Sequence, residues 1–401
     1  MPDILRPIVA RWLTFLGLLA CFAQSGAAQS SAQVQVLHIQ SAILSETRHA
    51  HIALPANYSV ARQRYPLTIL LDGQVRAFLD VTMAGASYDL TGAVHPVGMP
   101  PQIIVAIEQD DRQTDLLRNE TNFRRFLLEE LLPRIDRQYR TLPYRTLIGH
   151  SLGGRFALLS MCRAPGQFAA IIAASPSLPD SVANEVIRCV RQRTAEFPLQ
   201  QLVLSAGTLE ARSLAASDRL LDSLRVGTPS AWRLHRVDAT GLEHTGTPLI
   251  TIPLGLRFVF DAEAWGLSLA QRDSLSKHLG NPGTVLSAAV AQRAQRLGAP
   301  IPASADELAL VVRSWMAQRD TAQALQSARA LTESHPESID GWMLLHEAYK
   351  VSGNASEAHR AMERALSQSN RVLWFDETQK ARFQSDLRRM LHDRTRPPTL
   401  N

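Results

Sequence analysis

The stretch Thr146-Leu147-Ile148-Gly149-His150-Ser151-Leu152-Gly153-Gly154 constrains the fold more than any other part of this 401-residue chain. A short β-branched and apolar run enters G-x-S-x-G, and a segment of helical character, Arg155–Cys162, leaves it. A serine at this place needs a sharp, strained strand-to-helix turn that lifts its hydroxyl off the end of a sheet. Glycines flank it because a side chain there would strike the neighbouring strand or the new helix. The new helix also aims unpaired N–H groups and its dipole at the point where negative charge on a reacting oxygen would develop.

The surrounding pattern supplies the sheet that such a turn requires. Strand candidates are Val34–Ile39, His49–Leu54, Leu67–Leu71, Ile103–Ile107, Thr146–Ile148, Ala169–Ala173, Leu202–Ser205 and Trp232–Val237. Several are continuously apolar, as strands covered on both faces should be. Helical periods lie between them, the clearest over Phe123–Tyr139 with Phe126, Leu127, Leu131, Leu132 and Ile135 on one stripe. Strands alternating with helices predict an α/β domain over residues 34–262 with a mostly parallel sheet. The first two strands, which have no helix between them, form an antiparallel edge.

Strand signals stop near residue 260. Asn281-Pro282-Gly283 and Ala299-Pro300-Ile301-Pro302 punctuate a helical linker over 263–304. A 34-residue period follows over 305–370. In the copy beginning at Ile339, the residues Trp342, Leu345, Tyr349, Gly353, Ala358, Met362 and Ala365 fall where a tetratricopeptide repeat favours them. A degenerate copy begins at Ala305, with Ala324 at the small-residue position, Pro336 at the closing position and Leu308 in place of the tryptophan. Residues 371–401 hold a final helix near Glu377–His392. Two repeats are too few to stand alone, so they are expected to lean on the α/β domain, a second copy or a protein partner.

Arg6 and Arg11, the apolar run Trp12–Ala23 and the small residues Ser25 to Ala28 read as a secretory signal peptide over 1–28. Leu18-Leu19-Ala20-Cys21 also resembles a lipobox, which would make Cys21 a lipidated N-terminus, but Phe22 fits that poorly. The chain is therefore expected to be exported, periplasmic or secreted, with no mature transmembrane segment. Cys162 and Cys189 remain after cleavage, either as a disulfide, which export permits, or as two buried thiols. The net charge is +5, yet it is carried by scattered arginines with only three lysines, Lys277, Lys350 and Lys380. A nucleic-acid binder would gather that charge into a stripe, so no such partner is expected.

A nucleophilic serine needs a base, and on this fold the order along the chain is serine, acid, histidine. His235 lies within a strand, whereas His244 lies in the loop after it, at the end of an open sheet where catalytic groups gather. His244 is therefore the base. Glu210, just past the end of Leu202–Ser205, is the acid by position, with Asp218 and Asp238 as alternatives that spacing does not exclude. Two oxyanion donors are expected: the amide of Leu152, and the amide of Gln74 in the turn Leu71-Asp72-Gly73-Gln74 that ends an earlier strand. His49 and His51 alternate on a strand without a third ligand nearby, so no metal site is expected, and no glycine-rich phosphate loop implies a cofactor.

Taken together, the stretches Ile52-Ala53-Leu54-Pro55 with Tyr58, Tyr65-Pro66 through Asp72-Gly73, Asp111-Arg112 with Asp115-Leu116, Phe126 through Tyr139-Arg140-Thr141, the elbow, and Ala174-Ser175-Pro176-Ser177 resemble a known group. It is the esterase family of the α/β-hydrolase fold that includes esterase D and the enterochelin esterases, with the mycolyltransferase antigens as distant relatives. The resemblance spans roughly residues 36–262. It implies Ser151 as nucleophile, His244 as base, the Gln74 and Leu152 amides as the oxyanion hole, and a small-molecule or siderophore-like ester as substrate. Arg112 would contact an anionic substrate group or form a surface ion pair. Many relatives carry tryptophans after the position of Ser177, where this chain has Leu178-Pro179-Asp180, so the pocket wall differs. The expected reaction is hydrolysis of carboxylic esters through an acyl-enzyme. Acyl transfer to an alcohol would use the same site, and a repeat-based binding protein with a degenerate hydrolase is the non-enzymatic alternative.

Overall fold

The computed structural model describes residues 34–55, 58–87, 99–192, 200–226, 232–370 and 377–392. The signal segment with Cys21 and Ala28, and residues 371–376 and 393–401, lie outside these residues. The strands are β1 (Val34–Ser41), β2 (Glu46–Ala53), β3 (Tyr65–Leu70), β4 (Ile103–Ile107), β5 (Thr141–His150), β6 (Ala170–Ala174), β7 (Gln200–Ser205) and β8 (Trp232–Arg236). They form one sheet in the order β1-β2-β4-β3-β5-β6-β7-β8. β1 and β2 pair antiparallel, as does β2 with β4, and every other neighbouring pair is parallel. The hairpin edge expected from the first two strands is present.

The helices of the α/β unit are α1 (Arg76–Ser87), α2 (Glu120–Arg125), α3 (Leu132–Gln138), α4 (Leu152–Arg163), α5 (Asp180–Arg191), α6 (Ala211–Arg225) and α7 (Thr247–Val259). Two π-helical turns, Thr114–Arg118 and Phe126–Leu131, make one long helical run with α2 and α3. Alternate strand residues feed two cores. Leu67, Ile69, Val105, Leu147, Ile171 and Leu204 pack with residues of α2 to α6 on one face. Leu70, Ile104, Ile148, Ile172 and Val203 pack with α1 and α7 on the other. Each large apolar side chain withdrawn from water in this way contributes about 1.5–3 kcal/mol before entropy is counted.

β5 begins five residues before the apolar run that announced it. Leu142-Pro143-Tyr144-Arg145 precedes that run, and in the strand Pro143 is exposed while Leu142 and Tyr144 are buried. The register with β3 slips between Tyr65 and Leu67, around Pro66. Each proline lacks an N–H, and the irregular register lets both stand in the sheet without a missing donor at its centre.

Cys162 on α4 and Cys189 on α5 are joined by a disulfide across a sequence separation of 27. Loop-closure entropy for a link of this length is worth about 3 kcal/mol. The double substitution Cys162→Ala/Cys189→Ala is therefore expected to lose about that much stability in urea unfolding. Superimposable curves for parent and variant would show that the bond does not form in solution.

Beyond the sheet come α8 (Ala262–Trp265), α9 (Leu269–Ser276), α10 (Pro282–Leu297), α11 (Ala305–Ala317), α12 (Thr321–Ser334), α13 (Ile339–Val351), α14 (Ala355–Ser369) and α15 (Glu377–His392). α11 and α13 begin 34 residues apart, and so do α12 and α14, matching the period read from the sequence. Residues 263–304 do more than connect. Trp265, Leu297, Ala299 and Ile301 join the α/β core, and Tyr144 meets Trp265 edge-on. Arg293, buried on α10, pairs with buried Glu307 on α11 at 3.0 Å and donates to the Trp265 carbonyl at 2.6 Å. Through these contacts the helices that follow the sheet pack against the α/β unit. Among the described residues, no helix is long and apolar enough to cross a membrane.

Candidate active site

Six parallel strands end along one edge of the sheet, and the residues singled out in the sequence lie in the loops that follow them. β5 ends at His150, and Ser151 turns the chain with φ 55° and ψ −112° before α4 starts at Leu152. A Cβ on Gly149 would lie 2.2 Å from the Gly153 carbonyl oxygen, so the turn closes only with glycine there. The Ser151 amide donates to the Ala174 carbonyl at 3.0 Å, and its carbonyl accepts from Ser177 at 2.9 Å, stitching the elbow to the loop after β6. Ser151 is not alone in its backbone conformation. Asp72 after β3 has φ 60° and Ser175 after β6 has φ 41°. Three non-glycine residues in the left-handed region thus stand at the ends of three adjacent strands, each costing of order 1–3 kcal/mol that the packed sheet must offset.

In the turn after β3, the Gly73 amide donates to the Ile107 carbonyl at 2.7 Å and the Val75 amide to the Asp72 carbonyl at 2.9 Å. Gly73 lies so close to β4 that a Cβ would be 2.7 Å from the Ala106 carbonyl carbon. The exposed Gln74 amide between them has no acceptor among the described residues, while its side-chain oxygen accepts from the Gln109 amide at 3.1 Å. Arg112 is held by Asp72 at 2.6 and 3.0 Å and donates to the His150 carbonyl at 2.7 Å. Its partner is a buried carboxylate, 1% exposed, rather than a surface group. The guanidinium ties the turn that carries Gln74 to the residue before Ser151, so it is engaged within the protein instead of waiting free for a substrate anion.

Glu210, the N-terminal boundary residue of α6, reaches back to His244, with Oε2 2.6 Å from Nδ1. The two alternatives for the acid lie elsewhere: Asp218 pairs with Arg236 at 2.6 Å, and Asp238 accepts from Thr240. The Glu210 carboxylate also accepts from the Ser175 hydroxyl, 2.7 Å from both oxygens, and from the Gly207 amide at 3.2 Å. Its partial burial favours protonation, but the hydrogen bonds from Ser175, His244 and Gly207 outweigh it and hold the carboxyl below the usual carboxylate range.

Two residues of this cluster had no role in the sequence reading. Ser175, wholly buried, also places its oxygen 3.1 Å from His244 Nδ1. The tetrapeptide Ala174-Ser175-Pro176-Ser177 was visible, but nothing in one sequence says which of its serines meets a loop 69 residues away. His150 donates from Nε2 to the His244 carbonyl at 2.9 Å, with its ring between Phe78 and His244. Burial, reinforced by the neighbouring His244, pushes the His150 imidazole down to about 4. It therefore stays neutral at pH 7 and does not oppose a positive charge forming on the adjacent ring.

The loops after β7 and β8 are packed backbone on backbone. Gly207 bridges Ala239, the Leu209 amide donates to the Leu242 carbonyl at 3.2 Å, and the Gly241 amide donates to Thr208 Oγ1 at 2.8 Å. Ser151, His244, Ser177, Leu178, Arg212 and Ser213 help line a cleft of about 280 Å³. A hydroxyl on a strained elbow and an imidazole held by a carboxylate therefore open onto one small space.

Residues 41–239 match the family model described as "Putative esterase". A ferri-bacillibactin esterase of Bacillus subtilis is 28% identical over 155 residues, covering 37% of this chain and 54% of that protein, so the match spans about half of the curated relative. Among solved structures, an IroE-like serine hydrolase from Shewanella oneidensis superposes with a TM-score of 0.62 at 20% identity, covering 75% of this chain and 99% of its own. An uncharacterised protein from Capnocytophaga ochracea superposes at 0.60 with 16% identity, covering 89% of this chain and 100% of its own. The superpositions share the fold, with its mostly parallel sheet and helices on both faces, and the family match falls on the strands and loops that build the cleft. Through its α/β unit, residues 41–239, the chain belongs to the esterase family of the α/β-hydrolase fold.

Proposed function

We propose that this chain is an exported serine esterase that hydrolyses carboxylic esters through an acyl-enzyme. The observation that carries the proposal is the 2.6 Å contact of Glu210 with His244 Nδ1 beside a cleft that Ser151 also lines. With Nδ1 engaged, Nε2 is the nitrogen left to take the Ser151 proton as its oxygen attacks the ester carbonyl. Glu210 fixes the tautomer and stabilises the imidazolium, which then protonates the departing alcohol. Water, activated by the same ring, releases the acid. The Leu152 and Gln74 amides are the donors for the tetrahedral oxyanion, and each such donor is worth about 10²–10³ in rate. The test is reaction with a fluorophosphonate probe followed by turnover of a panel of nitrophenyl and siderophore esters. Phosphonylation at Ser151 with loss of ester turnover is expected; a protein that neither labels nor hydrolyses any ester overturns the assignment.

The name of the Bacillus relative supports a siderophore-class ester as one candidate substrate. Export rests on the N-terminal segment of the sequence, and the Cys162–Cys189 disulfide is in keeping with an oxidising compartment. The tetratricopeptide-like period of the tail supports a docking role for a protein partner or a second copy, which light scattering of the purified protein tests.

Ser175 acts in this scheme as a positioning residue for Glu210. Ser175→Ala removes one donor to a charged acceptor, so kcat is expected to fall about tenfold, with KM and Tm close to the parent. A parent-like kcat would show that the hydroxyl only fills space.

A further inference from the structure

Of the eight residues lining the cleft, none is acidic, and Arg212 is the one that is cationic at every physiological pH. Arg212 stands two residues after Glu210, near the start of α6, and is exposed. Among the described residues it has neither an ion pair nor a hydrogen bond, unlike Arg112, which Asp72 and the His150 carbonyl occupy. Glu210, two residues before it, is occupied by Ser175, His244 and the Gly207 amide. Ser177 and Ser213 add hydroxyls to the wall around Arg212, while Leu178 and Ala216 make it partly apolar. A guanidinium left unpaired in a concave wall, beside the reacting serine, is arranged to accept a carboxylate or another planar anion in a charge-assisted, bidentate contact.

We propose that Arg212 determines specificity, selecting esters in which one arm carries an anionic group next to a compact apolar body. The inference rests on the esterase reading, since the anion is recognised at the distance of the ester's own arm from Ser151. Selectivity comes from charge rather than size, so it weakens as salt screens the exposed guanidinium.

The experiment compares 4-nitrophenyl hydrogen glutarate with its neutral methyl ester, at low and high sodium chloride, in the parent, Arg212→Gln and Arg212→Lys proteins. The parent is expected to favour the anionic ester, and Arg212→Gln is expected to lower the anionic-to-neutral ratio of kcat/KM about tenfold, chiefly through KM. Arg212→Lys should restore part of it, and salt should erode the parent's preference but not the variant's. A ratio unchanged by Arg212→Gln overturns the proposal while leaving the esterase reading intact. A second measurement separates the two: calorimetric binding of glutaranilate, an amide that cannot serve as the ester, to Ser151→Ala and to Ser151→Ala/Arg212→Gln. Binding that depends on Arg212 while the parent protein hydrolyses no ester would uphold the anion contact and refute the esterase; binding that is absent or indifferent to Arg212 refutes the anion contact.

Discussion

Replacing Ser151 with Ala is expected to lower kcat/KM for an activated ester by about 10⁴-fold or more, with Tm at or slightly above the parent value. The nucleophile has no substitute in the cleft, whose other hydroxyls, Ser177 and Ser213, are not on the elbow. The backbone at 151 is strained for any residue but glycine, so alanine inherits the conformation without adding a new penalty. In the proposed mechanism serine, histidine and carboxylate act as a unit, and the losses should not add. Ser151→Ala/His244→Ala is therefore expected to be no slower than Ser151→Ala alone. Steady-state kinetics with a slow-background substrate, paired with thermal unfolding, checks both statements. A single variant retaining more than about a tenth of parental turnover would remove Ser151 from the reaction.

The second large effect is expected at a glycine that has no side chain to react and whose amide donates to Glu210. A Cβ on Gly207 would lie 2.0 Å from the Leu242 carbonyl oxygen and 3.1 Å from Thr247 Oγ1. Neither neighbour is a flexible side-chain end, so Gly207→Ala must push apart the loops that carry Glu210 and His244. Overpacking of this kind costs about 1–3 kcal/mol, and displacement of catalytic groups by an ångström costs about 10²-fold in rate. The variant should thus show a clear fall in unfolding midpoint together with a fall of about 10²-fold in kcat. Parent-like values for both would mean that the two loops do not meet as described.

Much of this was legible in the sequence, for reasons that can be stated residue by residue. Ser151 announces itself because its turn makes local demands, for glycines at 149 and 153, that are written within five residues. His244 and Glu210 follow because loops at strand ends are few and the chain order restricts the choice. The hairpin edge and the 34-residue helix offset were visible as periods. What escaped depends on contacts between distant segments. Ser175 gains its role from Glu210 and His244, each brought up by a different strand. The pairing of Arg112 with a buried carboxylate needs the packing of two loops 40 residues apart, and a local reading sees in it an exposed loop arginine. The start of β5 was hidden by Pro143, whose exposed position on the strand no periodicity reveals. The disulfide stood open because two cysteines on neighbouring helices are equally compatible with bonding and with burial.

The way the tail attaches has a consequence for how this molecule can vary. The helical region grips the sheet near the starts of its strands, through Trp265 against Tyr144 early in β5, while Asp261 just before α8 pairs with Arg233 early in β8 at 2.5 Å. The chemistry lies past the other ends of the same strands, about 17 Å away for a five-residue strand. One element spans the gap: α7 begins at Thr247, whose hydroxyl is 3.3 Å from Glu210, and ends at Val259, just before Phe260 meets Trp265. The two ends of the α/β unit can therefore diverge on separate schedules, one set by the cleft and the other by the seat of the helical region, with the 13 residues of α7 as the part that must suit both.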